Sequence, residues 1–404
     1  MAYRTSRKKR APRKKSPLKP KNCEDLGFSK NLKQDVDAYL AKLVDDKTIP
    51  GAAYSIGGRG GIAAEGYVGM RQLVPKPVPL TGTEIYDVAS VTKFVVTSVS
   101  IMILMERGRL RLDHPVQKFL PDFQGKYKNR VLIQHLLCHT SGLPGWYPLY
   151  LSGKTNDKML QTIYNMELDY KPGKDQQYSC LGFILLGEIL RIITEKKIDD
   201  FGKKNILEPL HMLSATFNPK DNRPDLTTVP TEEGTCYEMG MAKEYPGFDA
   251  YPFRSEMIDG DVHDNNAYAF GGSAGNSGLF AGPRDLAYFA EMILNQGIYA
   301  GKRYISPIVV RMMKQNYTQG MPHARGLGLM LGASRDKLRG KLTKGSFGHT
   351  GFTGSSLFLD DQNDVFVVFL TNRIHPHVDD TIDFDAIRGE FHSLVWENIK
   401  TKRM

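Results

Sequence analysis

Leu32, Val36, Tyr39, Leu40, Leu43 and Val44 recur at helical spacing, so the pattern predicts an amphipathic helix over residues 31–46. Ile49-Pro50-Gly51 ends it. Ala52–Ile56 and Ile62–Val68 then read as two strands of a hairpin around the turn Gly57-Gly58-Arg59-Gly60-Gly61. From residue 90 to about 300 the pattern is mostly helical with long loops, with clear helices over 90–107 (closed by Gly108), 180–195 and 283–296. Strands return late: Phe347–Thr350, Ser355–Leu359 and Val365–Leu370, the last two joined by the turn 360–364. Residues 384–400 close the chain as a helix with Phe384, Ile387, Phe391, Leu394, Val395 and Ile399 inward. Strands at both ends and helices between them predict an α+β chain. One mixed lobe is built from residues 30–89 and about 283–404, with a helical lobe, about 90–282, inserted.

Composition places this pattern in a globular chain: 404 residues, 41% hydrophobic and 24% charged. The net charge of +10 first suggests a nucleic-acid binder. Its location changes that picture. Residues 1–22 hold ten Lys and Arg and no acid, and without them the chain has 44 residues of each sign. The body is neutral and the basicity is a tail, expected to be disordered because it cannot bury enough apolar surface. Such a tail suits a polyanion, an anionic membrane surface or a nuclear-import receptor, and equally a solvated solubilising arm.

Cys23, Cys138, Cys180 and Cys236 show no framework spacing and read as free thiols of a reducing compartment. After the basic run comes Asn22-Cys23-Glu24-Asp25, not the apolar stretch of a secretory signal peptide. The most apolar helix-like run, Phe94 to Met105, is too short to span a bilayer. The expectation is an intracellular, cytoplasmic protein, with nuclear targeting as one use of the tail.

The chemistry starts at Asp87-Val88-Ala89-Ser90-Val91-Thr92-Lys93, which opens an apolar helix. Ser90 and Lys93, spaced i, i+3, share a helix face. A serine needs a neighbouring base to act as a nucleophile, and a lysine serves when burial depresses its pKa. The helix N-terminus adds N–H groups that favour a developing oxyanion. S-x-x-K also occurs at Ser6/Lys9, Ser16/Lys19 and Ser334/Lys337, but only Ser90 heads a hydrophobic helix. Further on, Tyr178-Ser179-Cys180 stands on a loop before a helix, and Gly348-His349-Thr350-Gly351 lies on a strand where small residues let a substrate approach the sheet edge.

In order, Ser90-Val91-Thr92-Lys93, Tyr178-Ser179-Cys180 and His349-Thr350-Gly351 resemble the three signature elements of the serine β-lactamase and penicillin-binding-protein superfamily, most closely class C β-lactamases, DD-carboxypeptidases and related esterases. The stretches 136–143, 106–121 and 271–280 add to the likeness, which covers roughly residues 30–400. The resemblance implies a β-lactamase/transpeptidase-like fold, an antiparallel sheet flanked by helices beside an all-helical subdomain, with the active site between them. It implies an acylated Ser90, general-base and general-acid duty shared by Lys93 and Tyr178, a strand wall of His349, Thr350 and Gly351, and an oxyanion hole from the N–H groups of Ser90 and Phe352. Two departures stand out. Cys180 replaces the asparagine that helps position the lysine and the substrate amide, and His349 replaces lysine. Both argue against efficient β-lactamase activity. The expectation is a serine hydrolase for a small-molecule or peptide-like ester or amide, without metal or cofactor. The alternative is a non-catalytic relative with a binding or structural role served partly by its tail.

Other motifs read as structure. His135 and His139 flank Cys138, but Leu136 stands where a zinc-binding H-E-x-x-H helix needs glutamate. His375-Pro376-His377 lacks partners and is expected in an exposed loop. Asp259–Asp264 mimics a calcium loop but has Asp264 where glycine is required. Gly153-Lys154-Thr155 lacks the first glycine of a phosphate loop, and Met102, Met105, Met312 and Met313 read as core.

Overall fold

Alternate residues of the central strands face two different helical layers, and this places every other element. The structure, a computed structural model, describes residues 18–153, 155–332 and 342–400. Strands β1 (Gly51–Gly58) and β2 (Gly61–Gln72) form the expected hairpin, with Gly60 in the left-handed region at its turn (φ 81°). Beside β1, antiparallel, lies β13 (Val365–Thr371) from the far end of the chain, in the register Ala52↔Thr371 to Gly57↔Phe366. Ala52, Tyr54, Ile56, Val365, Val367 and Phe369 face one layer, made by helices α1 (Leu32–Asp45) and α12 (Phe384–Glu397). Ala53, Phe366, Val368 and Leu370 face the opposite way, toward α10 (Pro283–Leu294), in a core that continues to Phe94 and Leu185 of the helical region. Both faces are therefore buried, which is why β13 reads as an unbroken apolar run.

The complete sheet has eight strands in the order β3-β2-β1-β13-β12-β11-β10-β9. Its other members are β3 (Val78–Pro79), β9 (Arg325–Gly326), β10 (Leu329–Leu331), β11 (Ser346–Thr350) and β12 (Ser356–Asp360). Strand β11 is not the sheet edge expected from its small residues. Met330 and Leu331 of β10 pair with Gly348 and Phe347, so only the end at His349 and Thr350 lacks a neighbour on that side.

Between β1–β2 and the late strands run α2 (Val99–Glu106), α3 (Ile133–Leu137), α4 (Asn156–Asn165), α5 (Cys180–Thr194), α6 (Ile198–Gly202), α7 (Pro219–Asn222), α8 (Cys236–Ala242) and α9 (Asn265–Ala269). This stretch is not purely helical: β5 (Thr216–Phe217) and β6 (Leu279–Ala281) join β4 (Tyr86–Asp87) in a small sheet. A two-stranded ribbon, β7 (Ile298–Tyr299) and β8 (Lys302–Arg303), and helix α11 (Pro307–Lys314) follow α10. The helix expected over 90–107 is interrupted by a wide π-turn at Lys93–Ser98 before α2 begins. Thr92 Oγ1 accepts from the Leu279 N–H (3.1 Å) and Thr97 Oγ1 donates to the Gly275 carbonyl (2.7 Å), tying this turn to the 275–279 segment. Such insertions concentrate at functional sites.

Two further expectations are corrected. Residues 18–22 belong to the folded body: Leu18 is buried, and Lys19 and Lys21 exchange main-chain hydrogen bonds with Ile62. Residues 1–17 lie outside the described part, as do Lys154 and Ser334/Lys337. His375 is buried rather than exposed, accepting from the Leu73 N–H (2.8 Å) through Nε2 and pairing with the Thr231 carbonyl (2.9 Å) through Nδ1, while His377 is exposed. Met102 and Met313 are core, and Met105 and Met312 pack against it. Among the described residues no helix is long and apolar enough to cross a membrane, no metal-holding cluster occurs, and the four cysteines are free thiols.

Candidate active site

Ser90 follows a backbone held in an unfavourable conformation. Ala89 lies in the left-handed region (φ 47°), unusual for a residue with a Cβ. Buried Asp87 holds it there, its Oδ1 accepting from the Ala89 N–H (2.8 Å) and its Oδ2 from the His263 N–H (2.8 Å). Burial pushes the Asp87 carboxyl up, against the two N–H donors that pull it down. The turn projects Ser90 into a cleft of about 770 Å³ whose walls include Tyr178, His349, Thr350, Gly351 and Phe352.

Lys93 is fully buried beneath this serine, its Nζ 2.9 Å from Ser90 Oγ, 2.9 Å from the Asn276 carbonyl and 3.5 Å from Cys180 Sγ. The amine also lies over the rings of Tyr178 and Phe183, at 5.2 and 5.7 Å from their centroids. Burial alone would depress Lys93, as its sequence context suggests. Coupling to Cys180 and Tyr178 opposes that, since ionising either one would hold the proton on Lys93, and the net direction is upward. Burial in turn pushes up the Tyr178 phenol and the Cys180 thiol, opposed in each case by Lys93. The trio titrates as a unit, and its resting form is an ammonium beside a protonated phenol and thiol. Cys180 thus occupies a contact on the lysine even though a thiol is a weak hydrogen-bonding partner.

Tyr178 leaves 37% of its surface open to the cleft. Its position comes from His139, whose ring stacks beside the phenol (centroids 4.5 Å apart) and whose Nδ1 accepts from the Ser179 N–H (3.0 Å). Burial holds His139 well below the usual imidazole range, so it stays neutral. His139 is therefore part of the support of Tyr178 rather than half of a metal pair.

The opposite wall is the end of β11. His349 is buried, and its Nδ1 lies 2.7 Å from the Thr350 carbonyl, which can only accept. Nδ1 therefore carries the proton, leaving Nε2 as a lone pair without a protein partner. Burial lowers this imidazole to about 3, so His349 contributes no positive charge to this wall. Gly351 is obligatory: a Cβ there would lie 2.4 Å from the Val88 carbonyl. The N–H groups of Ser90 and Phe352 donate to no protein acceptor among the described residues.

Sequence reasoning missed two arginines that hold the main chain of residues 351–354. Arg388 of α12 is buried and donates to the carbonyls of Gly351 and Gly354 (the latter 3.3 Å), with Asp385 at 2.7 Å, while Arg373 Nε donates to the Phe352 carbonyl (3.0 Å). Burial lowers the Arg388 guanidinium to about 10. Both arginines act on main-chain carbonyls, which leaves no local motif; the only signal is Arg388 on the inward face of an apolar helix.

A mixed sheet flanked by helices, with Ser90 and Lys93 at the head of a buried helix and a strand wall opposite, defines the class: serine hydrolases of the β-lactamase/transpeptidase-like fold. The Beta-lactamase family profile matches residues 36–390, and the chain belongs to that family. It is 30% identical over 328 residues (76% of this chain, 73% of the relative) to the protein of Escherichia coli (strain K12) named "Putative D-alanyl-D-alanine carboxypeptidase". It is 26% identical over 387 residues (90% and 86%) to the N-acetylmuramyl-L-alanine amidase of Bacillus subtilis (strain 168). Among solved structures, a penicillin-binding protein homolog from Caulobacter crescentus superposes with a TM-score of 0.70 over 91% of this chain and 99% of its own, at 19% identity.

Proposed function

We propose that this β-lactamase-family hydrolase cleaves a peptide-like amide or ester through an acyl-Ser90 intermediate. The observation that carries the reading is the 2.9 Å contact between Lys93 Nζ and Ser90 Oγ at the floor of an open cleft. Once the Lys93/Tyr178 pair has lost one proton to solvent, Ser90 Oγ attacks the carbonyl carbon, its proton passes to the vacated site on that pair, and the carbonyl oxygen moves toward the N–H groups of Ser90 and Phe352. The pair then protonates the leaving amine or alcohol. A water, deprotonated by the same pair, attacks the acyl carbon and releases the acid and Ser90. Because the resting trio holds its protons, acylation is expected to accelerate as pH rises above neutrality.

The carboxypeptidase and amidase names of the relatives support an amide in a peptide-like substrate. The neutral His349 supports a substrate that offers a hydrogen-bond donor to Nε2 where a cationic wall would demand an anion. The contact between Cys180 and Lys93 favours the catalytic over the purely binding reading, since the lysine keeps a partner on that side.

Intact-mass measurement after a fluorophosphonate or penicillin tests the proposal. The wild-type protein is expected to gain one covalent adduct and Ser90→Ala none. A folded wild-type protein that gains no mass, or a Ser90→Ala variant that labels equally, would refute it.

A further inference from the structure

The loop 262–265, at the end of the stretch whose sequence mimics a calcium site, touches the supports of both Ser90 and Lys93. Its His263 N–H donates to Asp87, the carboxylate that shapes the Ser90 turn. One residue later, Asp264 Oδ2 accepts from Asn276 Nδ2 (3.0 Å) and its Oδ1 from the Ala267 N–H (2.7 Å). Asn276 is fully buried, and its carbonyl receives Lys93 Nζ at 2.9 Å. Arg254 clamps the loop, with Nη1 on the Val262 carbonyl (2.8 Å) and Nη2 on the His263 carbonyl and Asn265 Oδ1 (both 2.6 Å). Glu238 Oε1 adds an anchor on the Asn265 N–H (3.1 Å).

We propose that Asp264 is a positioning residue for catalysis: through Asn276 it fixes the carbonyl that seats the Lys93 amine, and its charge steadies that ammonium, so one loop sets both the nucleophile and its base. The proposal rests on the Ser90/Lys93 reading of the site. The groups facing Lys93 are Ser90 on its own turn, Tyr178 and Cys180 at the start of α5, His139 after α3, His349 on β11 and, behind Asn276, Asp264; Arg325 of β9 acts on both histidines. Burial keeps the phenol and thiol protonated and the two imidazoles neutral, so Asp264 is the carboxylate of the set. Its neighbour Glu238 is pushed up to about 7 by burial and by Asp264 itself.

Asp264→Asn removes the charge and keeps the shape, since Asn276 Oδ1, buried and unpartnered, can accept the new amide after a side-chain flip. The first readout needs no turnover: NMR titration of ¹⁵N-lysine-labelled protein, with the Lys93 signal assigned by its loss in Lys93→Met. In Asp264→Asn the Lys93 titration is expected to move down by about one pH unit, tenfold in proton affinity. An unmoved titration overturns the proposal. The second readout is Ser90 acylation by a fluorophosphonate, for which the maximal rate is expected to fall about tenfold with apparent affinity within twofold. Asn276→Ala should show the same loss and the double variant no more than either single one. Wild-type rates in Asn276→Ala, or additive losses, overturn the proposal even where Asp264→Asn fails to fold. Absence of any adduct on the wild-type protein would strike the acyl-Ser90 reading instead, and the Lys93 titration would still decide the role of Asp264.

Discussion

Glu238 shows how strongly single carboxyls are perturbed around this site. Its Oε2 is buried without a partner, and its carboxyl is held up at about 7 where a solvated glutamate ionises near 4.5. A group raised in the folded state contributes stability that is complete below the unfolded value and is lost as pH climbs through the folded one. Glu238→Gln mimics the protonated form and keeps an acceptor for the Asn265 N–H. Thermal melts should therefore show the variant gaining about 1–3 kcal/mol over wild type at about pH 8.5, a gain that disappears near about pH 4.5. At this scale Ser90, Lys93, Tyr178 and His349 were legible in the sequence because each sits in a short motif with its own spacing. The state of Lys93 was not: burial by its apolar helix pointed to a depressed amine, while Cys180 and Tyr178, distant in sequence, reverse the direction.

Among elements, the end of β11 and the loop after it bring the strand wall within contact of the serine turn. Gly351 is the pivot, since a methyl group there meets the Val88 carbonyl at 2.4 Å and the Ala89 Cβ at 3.3 Å. Gly351→Ala should push the wall away, lower the melting temperature by the equivalent of about 2 kcal/mol, and slow fluorophosphonate acylation about 100-fold. Acylation at the wild-type rate would show that the close approach is dispensable. Strands β1, β2, β11, β12 and β13 were visible as apolar runs bounded by turns. Strands β3, β4 to β6, β9 and β10 were not, because two or three residues carry no periodicity and are defined only by their neighbours. The π-turn at Lys93–Ser98 was equally hidden inside a continuous apolar stretch.

The whole molecule joins elements from both ends of the chain into one sheet, and this strand-helix-strand order was readable from the hydrophobic pattern. The sheet order itself came only from the structure, since pairing over some 300 residues leaves no local mark. The boundary of the tail also moved, because a run of basic residues conceals a segment whose main chain binds Ile62 and whose Leu18 is buried. Deleting residues 1–17 should leave melting temperature and Ser90 acylation unchanged. Extending the deletion through residue 22 should lower the melting temperature by about 3–6 °C, as loss of a buried leucine and main-chain hydrogen bonds requires. Equal melting temperatures for the two truncations would return residues 18–22 to the tail.

The pairing of β1 with β13 has a consequence for how the protein is made. A ribosome delivers β1 early, yet the strand that covers its free side emerges more than 300 residues later, and α12, with the arginine that grips Gly351, later still. Throughout synthesis the nascent polypeptide carries a bare sheet margin and an unfinished pocket. A chain cut short before β13 and α12 would therefore keep an open sheet margin prone to aggregate and a cleft without its Arg388 support.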